Sequence, residues 1–301
     1  MRVAALDLGS NTFLLLIADL DGQNIKKVLL DETRVTRLGQ GVHQAREFHP
    51  EALARADATL SEFAKAIAEH KCDKVVAVAT SAARDVKNGI RLIEIGQRHG
   101  IPIQIISGQQ EAEITYDGAT ADFPADTAAS VIDVGGGSTE VIGRWGDRLQ
   151  GCSVDVGSVR LTEMFLAQHP CRAEDMQRMQ NYINQRIAEK KSLLPSGLKN
   201  VIAVAGTPTT LAMLEQETEF DEARIHKFEM TNKKIWQWRD RLACLSVEQR
   251  QKLPGMQPKR ADVLVAGATI LASVVEALGA KGVIVSTKGV RYGVARSWQK
   301  I

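Results

Sequence analysis

Two short stretches of this chain, Asp7-Leu8-Gly9-Ser10-Asn11-Thr12 and Asp133-Val134-Gly135-Gly136-Gly137-Ser138, set an aspartate ahead of glycine and small polar residues. That combination can handle a phosphate. Glycine lets backbone N–H groups approach an anion closely, and successive N–H groups in a turn form an anion-binding nest without any lysine. The aspartate can hold Mg²⁺, directly or through water, against the same oxygens. A single loop of this kind reads most simply as a tight hairpin, because isolated glycine motifs are weak signals. Two equivalent loops reverse that preference. Aligning Asp7 with Asp133, an offset of 126 residues, also aligns Gly9 with Gly135 and Thr12 with Ser138. A third glycine stretch, Ala205-Gly206-Thr207-Pro208, ends an apolar run. It is expected to open a helix with Pro208 at the first position, where free amides and the helix dipole favour an anion. Taken alone, it is a common strand-to-helix turn.

The elements around these loops follow from apolar spacing. Val3 to Leu6, Phe13 to Ala18 and Ile25 to Leu30, separated by Gly and Asp breaks, read as three successive strands. Leu53, Ala56, Leu60, Phe63 and Ile67 recur at steps of three and four, which makes 51–70 an amphipathic helix. Strands are expected at 74–79 and 101–106 and a helix at 88–99, so strand and helix alternate as in α/β proteins. The order restarts at Ser130 with strands at 130–134, 138–145 and 148–156, and the economical explanation is an internal duplication. Helices are expected at about 173–194, 231–244 and 260–278, a strand and helix at 200–215, and a strand at 282–286. Ser107 and Gln110 form a candidate capping box, which sets Glu111 in the first turn of a helix. By itself Glu111 is then a helix-terminal glutamate favoured by the dipole. The boundary between halves is expected in the polar, proline-containing stretch 119–129.

Composition narrows the class. The chain has 301 residues, 44% of them hydrophobic, enough for two domains with real cores. No signal-peptide pattern and no apolar run long enough for a bilayer occur, so a cytoplasmic protein with no membrane partner is expected. A net charge of +2 is too mild for a nucleic-acid binder, so any polyanion site must be local. The six histidines form no metal motif, and Cys72, Cys152, Cys171 and Cys244 lack any paired spacing and read as reduced thiols.

The paired loops and the AGT turn resemble the two phosphate motifs and the nucleoside-side motif of the actin-like ATPase, sugar kinase and chaperone superfamily. More narrowly, the chain resembles the exopolyphosphatase/guanosine pentaphosphate phosphohydrolase (Ppx/GppA) family. The resemblance rests on AALDLGSNTF, RLGQGV, ATSAARD, ISGQQEAEITYDGA, VIDVGGGSTEVI, VDVGSVRLTE, PGMQPKRADVLVAGATIL and VSTKGVRYG, in family order along most of the sequence. It implies an α/β architecture of two duplicated ribonuclease H-like (actin-like ATPase) domains with a cleft between them. Residues 1–122 would form the first, completed by a C-terminal helix at 290–301, and 123–289 the second.

The resemblance also implies an activity: Mg²⁺-dependent release of terminal orthophosphate from inorganic polyphosphate, guanosine pentaphosphate, or both. Glu111 matches the family's catalytic base and Arg84 its phosphate-binding arginine, with Asp133 completing the catalytic set. Gly9, Ser10, Asn11, Thr12, Gly135, Gly136, Gly137, Ser138, Gly206 and Thr207 would bind phosphate. Asp7, Asp133 and Glu140 would hold Mg²⁺ or another divalent cation. Arg37, Lys259, Arg260, Lys288 and Arg291 lie in family-like segments and are candidates for a polyanion track, with at least half expected to be merely solvated. Longer family members carry an additional C-terminal helical region with a His-Asp metal motif. Its absence before Ile301 shifts the expectation toward shorter substrates and away from high processivity.

Two rivals share these loops. A small-molecule kinase of the same superfamily would pass the phosphate of ATP to a sugar or carboxylate. A sensor would bind guanosine tetraphosphate or pentaphosphate without catalysis. The extended motif match argues against the kinase, and the intact acidic and arginine positions argue against the sensor. A two-fold homodimer is the default oligomer.

Overall fold

The computed structural model describes residues 1–124, 127–145, 148–197 and 200–299, leaving aside the side chains of Trp145 and Arg148. Residues 125–126 of the expected boundary stretch and 300–301 of the expected terminal helix lie outside the described residues. The chain divides into two compact units, Met1–Gly118 joined by Gly289–Ile301, and Ala119–Lys288.

In unit 1 the chain runs through β1 (Arg2–Leu8), β2 (Thr12–Asp21), β3 (Asn24–Val35), α1 (Val42–Ala45), α2 (Pro50–Glu69), β4 (Lys74–Ala79), α3 (Ser81–Arg84), α4 (Ile90–Arg98), β5 (Ile103–Ile105) and α5 (Gly108–Ala119). The sheet order is β3-β2-β1-β4-β5, an antiparallel meander continued by strands parallel to β1. Val3 through Leu8 are all buried, as a strand covered on both faces requires. Ala4, Leu6 and Leu8 meet Ala56, Leu60 and Phe63 of α2 in one core, so the apolar stripe read from sequence is the buried face of that helix.

Unit 2 runs through β6 (Ala129–Val134), β7 (Thr139–Trp145), β8 (Arg148–Val154), α6 (Ser158–Phe165), α7 (Ala173–Glu189), β9 (Asn200–Val204), α8 (Gly206–Gln216), α9 (Glu222–Ile225), β10 (Glu229–Thr231), α10 (Asn232–Ala243), α11 (Val247–Gln251), α12 (Leu264–Ala277) and β11 (Gly282–Val285). Its sheet order is β10-β11-β9-β6-β7-β8. Read from the third strand of each meander, β3-β2-β1-β4-β5 and β8-β7-β6-β9-β11 have the same order. The duplication seen in sequence is therefore a duplication of topology, and the two-domain actin-like α/β expectation holds. Residues 264–275 of α12 are buried on every side, which makes it the central helix of this unit. The chain then returns to unit 1 as α13 (Val290–Arg296), whose Val290, Tyr292, Val294 and Ala295 pack on Val3, Ala5, Leu16 and Val78.

Some expected elements differ. The helix expected from 260 begins at Leu264, because Pro258–Arg260 form a separate 3₁₀ turn. Pro208 is the third residue of α8 rather than its first, since Ala205 bends at φ 72 and lets Gly206 enter the helix. Its missing N–H is still one of the four that a helix start leaves unpaired. The strand expected over 148–156 stops at Val154, and α6 and β10, which apolar spacing did not announce, follow as short elements.

Candidate active site

Each unit carries one glycine loop, and the two are built alike. In unit 1 the Gly9 amide donates to Thr12 O at 3.0 Å, and in unit 2 the Gly135 amide donates to Ser138 O at 3.0 Å. These glycine amides close their own turns instead of facing a ligand. A Cβ on Gly9 would lie 3.0 Å from Thr12 O and one on Gly135 2.9 Å from Ser138 O, so the tightness of the turn requires glycine at both.

The amides that remain are the next ones along. Gly39 N donates to Ser10 O at 2.7 Å, and Thr36 N and Arg37 N both donate to Asn11 O at 3.0 Å. In unit 2, Ser158 N donates to Gly135 O at 2.9 Å, while Val159 N and Arg160 N donate to Gly136 O at 3.0 Å. With those carbonyls tied down, planar trans peptides turn the N–H groups that follow them, Asn11 in unit 1 and Gly136 and Gly137 in unit 2 among them, the opposite way. Among the described residues the Ser10, Asn11, Gly136 and Gly137 amides donate to no other residue. Two successive donors left over in each loop are the makings of an anion nest. No bracing role was assigned from sequence to segments 36–39 and 158–160, although 37–39 and 158–160 fall in stretches that resemble the family and Arg37 was a track candidate.

The loop of unit 1 is wired to the candidate base. Ser10 Oγ lies 3.0 Å from Ser81 Oγ at the start of α3, and α3 ends in Arg84. Arg84 Nη1 donates to Glu111 Oε2 at 2.7 Å and to Ile106 O at 2.9 Å. Glu111 sits in the first turn of α5, as the capping box implied. Gln110 N donates to Ser107 Oγ at 3.2 Å, and Ser107 N donates to Gln110 Oε1 at 3.0 Å. The Glu111 side chain is 7% exposed and that of Arg84 22% exposed, so a guanidinium edge stays open beside a nearly enclosed carboxylate. Ser81 is a participant that sequence reasoning missed. Asp7 is 9% exposed at the end of β1, beside the same turn.

Unit 2 presents a different set. Asp133 and Glu140 are direct partners across β6 and β7, both buried. Glu140 Oε1 accepts from Ser138 Oγ at 2.8 Å and from Ser153 Oγ at 2.7 Å. Two carboxylates opposite one another on a sheet repel, and a cation offsets that repulsion. In unit 1 the position equivalent to Glu140 is Leu14, which pairs with Asp7, so the second acid belongs to unit 2 alone. The described residues contain no group of three or more His, Cys, Asp or Glu placed to hold a metal.

At the third glycine turn, Gly206 and Thr207 are buried. The Arg260 guanidinium lies against Gly206, where any Cβ would collide with it, and a Cβ on Gly267 of α12 would likewise collide with Thr207 Oγ1. Burial lowers the Arg260 pKa to about 10, which leaves it charged at neutral pH. Of the other candidate track residues, Lys288 pairs with Asp122, and Arg291 donates to both oxygens of Asp31 at 2.7 and 2.9 Å. These two tie the fold together.

The sequence model of the Ppx/GppA phosphatase family matches residues 16–300. The chain belongs to the Ppx/GppA phosphatase family. Exopolyphosphatase 2 of Mycobacterium tuberculosis is 36% identical over 282 residues, covering 90% of this chain and 88% of that protein. The crystal structure of the Aquifex aeolicus member of the Ppx/GppA family matches with a TM-score of 0.82 and 30% identity, covering 100% of this chain and 98% of that one. An exopolyphosphatase from Cytophaga hutchinsonii matches with a TM-score of 0.88 and 27% identity, again over 100% and 98%. As a Ppx/GppA protein the chain is a hydrolase of phosphoanhydrides, the class of enzyme its loops suggested. Members of the Ppx/GppA family generally use a divalent cation. Among the described residues no helix is long and apolar enough to cross a membrane.

Proposed function

We propose that this Ppx/GppA protein removes the terminal phosphate of inorganic polyphosphate, guanosine pentaphosphate, or both, with Mg²⁺ as cofactor, in the cytoplasm. The observation that carries this reading is the connected path in unit 1 from loop 9–12 through Ser81 to Arg84 and Glu111. It links an anion nest, a cation and a carboxylate without interruption. Phosphoryl transfer needs mostly positioning and charge neutralisation, and this set supplies both.

In the proposed reaction the loop amides and Arg84 take the oxygens of the terminal phosphoryl group. The free edge of the guanidinium suits two parallel N–H bonds to those oxygens. Glu111 accepts a hydrogen bond from the attacking water and removes its proton as the bond to phosphorus forms. Because Arg84 Nη1 already holds Glu111 Oε2, one residue aims the base and binds the phosphate. Asp133 and Glu140 are the donors best suited to a hard divalent cation, since both are carboxylates presented from the same face of adjacent strands. Mg²⁺ is commonly held by one or two carboxylates, with water and substrate phosphates completing its shell, so a pair of acids is sufficient. When bound, the ion neutralises charge on the phosphate oxygens. Gly206, Thr207 and Arg260 are assigned to the part of the substrate beyond the terminal phosphate.

The test is phosphate release by purified protein with Mg²⁺ on long polyphosphate, short polyphosphate, guanosine pentaphosphate and ATP. Release from polyphosphate or the pentaphosphate, absent with chelator, is the expected result. Tight alarmone binding with no phosphate released from any of the four would replace this reading with the sensor, and acceptor-dependent ADP formation would replace it with the kinase.

A further inference from the structure

Arg250 of α11 has no exposed surface, which is unusual for a residue that cannot shed its charge. Its Nε donates to Leu242 O at 2.7 Å and its Nη1 to Ala261 O at 3.1 Å. Nη2 lies 3.1 Å from His169 Nδ1 and 3.5 Å from Cys171 Sγ. Among the described residues no carboxylate pairs with it. The group beside it that can become an anion is the Cys171 thiol.

A second thiol is close by. The Cys171 amide donates to Ala243 O at 2.8 Å, and Cys244 is the next residue. A planar trans peptide puts the Ala243 oxygen about 2.8 Å from the Cα of Cys244, so with the hydrogen bond and the N–Cα bond of Cys171 the two Cα atoms are at most about 7 Å apart. Disulfides span roughly 4.4–6.8 Å between Cα atoms. Cys171 is half-buried, whereas Cys244 is exposed at the C-terminal end of α10. Burial holds the Cys171 thiol above its ordinary value, and the Arg250 charge and hydrogen bond offset only part of that rise.

We propose that Cys171 and Cys244 form a dithiol pair that a peroxide converts to a disulfide, with Arg250 favouring the sulfur anion of Cys171 during the exchange. Cys244, open to solvent, meets the peroxide first. Its thiolate attacks one peroxide oxygen, the O–O bond breaks, and the other oxygen leaves as hydroxide, which takes the thiol proton to become water. Cys244 is then a sulfenic acid. The Cys171 thiolate attacks that sulfur and expels a second hydroxide, which becomes water with the proton Cys171 released. Two thiols and one hydrogen peroxide thus give one disulfide and two waters. Arg250 also holds Ala261 O, next to the Arg260 that covers Gly206, so the pair is linked through Arg250, Ala261 and Arg260 to the third glycine turn.

The experiment treats the folded full-length protein with hydrogen peroxide, caps the remaining thiols and maps peptides without reduction. The expected result is a Cys171–Cys244 cross-linked peptide, two hydrogens lighter than its parts, that disappears on adding dithiothreitol. Cys72 and Cys152 remain capped as thiols. In Cys171→Ser the cross-link is lost and Cys244 accumulates a sulfenic acid trapped by dimedone. In Cys244→Ser, Cys171 remains a thiol at the same peroxide dose. Wild-type protein in which both thiols are still capped, or in which Cys244 is oxidised with no link to Cys171, would overturn the proposal.

Discussion

At Arg84 a single nitrogen, Nη1, serves both Ile106 O and the Glu111 carboxylate, and the rest of the fork makes no hydrogen bond to a described residue. That asymmetry gives Arg84 and Glu111 separable signatures. Glu111→Gln keeps an acceptor for Arg84 but cannot take a proton. It is expected to lower kcat by about 10²–10⁴-fold with KM little changed, as loss of a general base does; steady-state phosphate release would measure this, and near-normal turnover would remove Glu111 as the base. Arg84→Lys keeps the charge and loses the fork. Its expected cost is about 10²-fold in kcat, comparable to losing one preorganised donor to a developing anion. A variant as fast as wild type would show that the guanidinium is not engaged. The position of Glu111 was legible in sequence because Ser107 and Gln110 fix a helix start. Its pairing with Arg84 was not, since no local rule connects residues 27 positions apart.

Among the elements, α5 carries Glu111 and crosses α13 through glycines. A Cβ on Gly118 would meet Gly289 O, and one on Gly293 would meet Ile114 O, both backbone atoms that cannot turn aside. Gly293→Ala is therefore expected to destabilise unit 1 by about 1–3 kcal/mol, the usual range for overpacking. Denaturant unfolding measures it, and an unchanged midpoint would mean that the two helices part without cost. The strands were readable as apolar runs between turn residues, the long helices α2, α7 and α10 because their apolar residues recur at helical spacing, and α12 because its apolar run is too long for a strand. The short pieces were not: α6 has only eight residues, Ser158–Phe165, just past the expected strand end, and β10 spans only Glu229–Thr231, too few residues to show a period. The same limit applied to the loops. Asp7 and Asp133 announced them, but the bracing of the loop carbonyls depends on amide donors at 36–39 and 158–160, which only the folded chain brings near.

At the scale of the molecule, the units respond differently to pH and to truncation. Burial holds the His169 and His226 rings below the ordinary imidazole range, with Arg250 and Lys288 respectively adding to the effect. Above about pH 6.5 both are neutral whether folded or not. As pH falls below that value the unfolded chain binds protons that the folded one refuses, so unit 2 loses stability until the folded values are passed. Asp122 acts in the same direction lower down. Burial works to raise its carboxyl, but the Lys288 ion pair prevails and leaves it lowered, so its contribution is present above the ordinary aspartate range and lost as pH falls through the folded value. His226→Asn should flatten part of the slope between pH 6.5 and 5 in unfolding midpoints, and an identical slope would exclude His226 as a source. Truncation after Lys288 removes α13 and uncovers Val3, Ala5, Leu16 and Val78. At about 1.5–3 kcal/mol for each large apolar side chain re-exposed, that loss is comparable to the whole stability of a domain. Hydrogen exchange should then show unprotected amides in residues 1–118 and protected ones in 129–285. Full protection throughout would argue that α13 is dispensable.

The return of α13 also sets an order of events on the ribosome. Residues 2–105 emerge before unit 2, yet one face of their sheet is only partly covered, by Ile106 and Ile114, until residues 290–296 leave the exit tunnel, by which time the whole of unit 2 has been made. Unit 1 is thus begun before unit 2 and finished after it, and while unit 2 is being made the nascent chain carries an open apolar surface of the kind that holding chaperones bind.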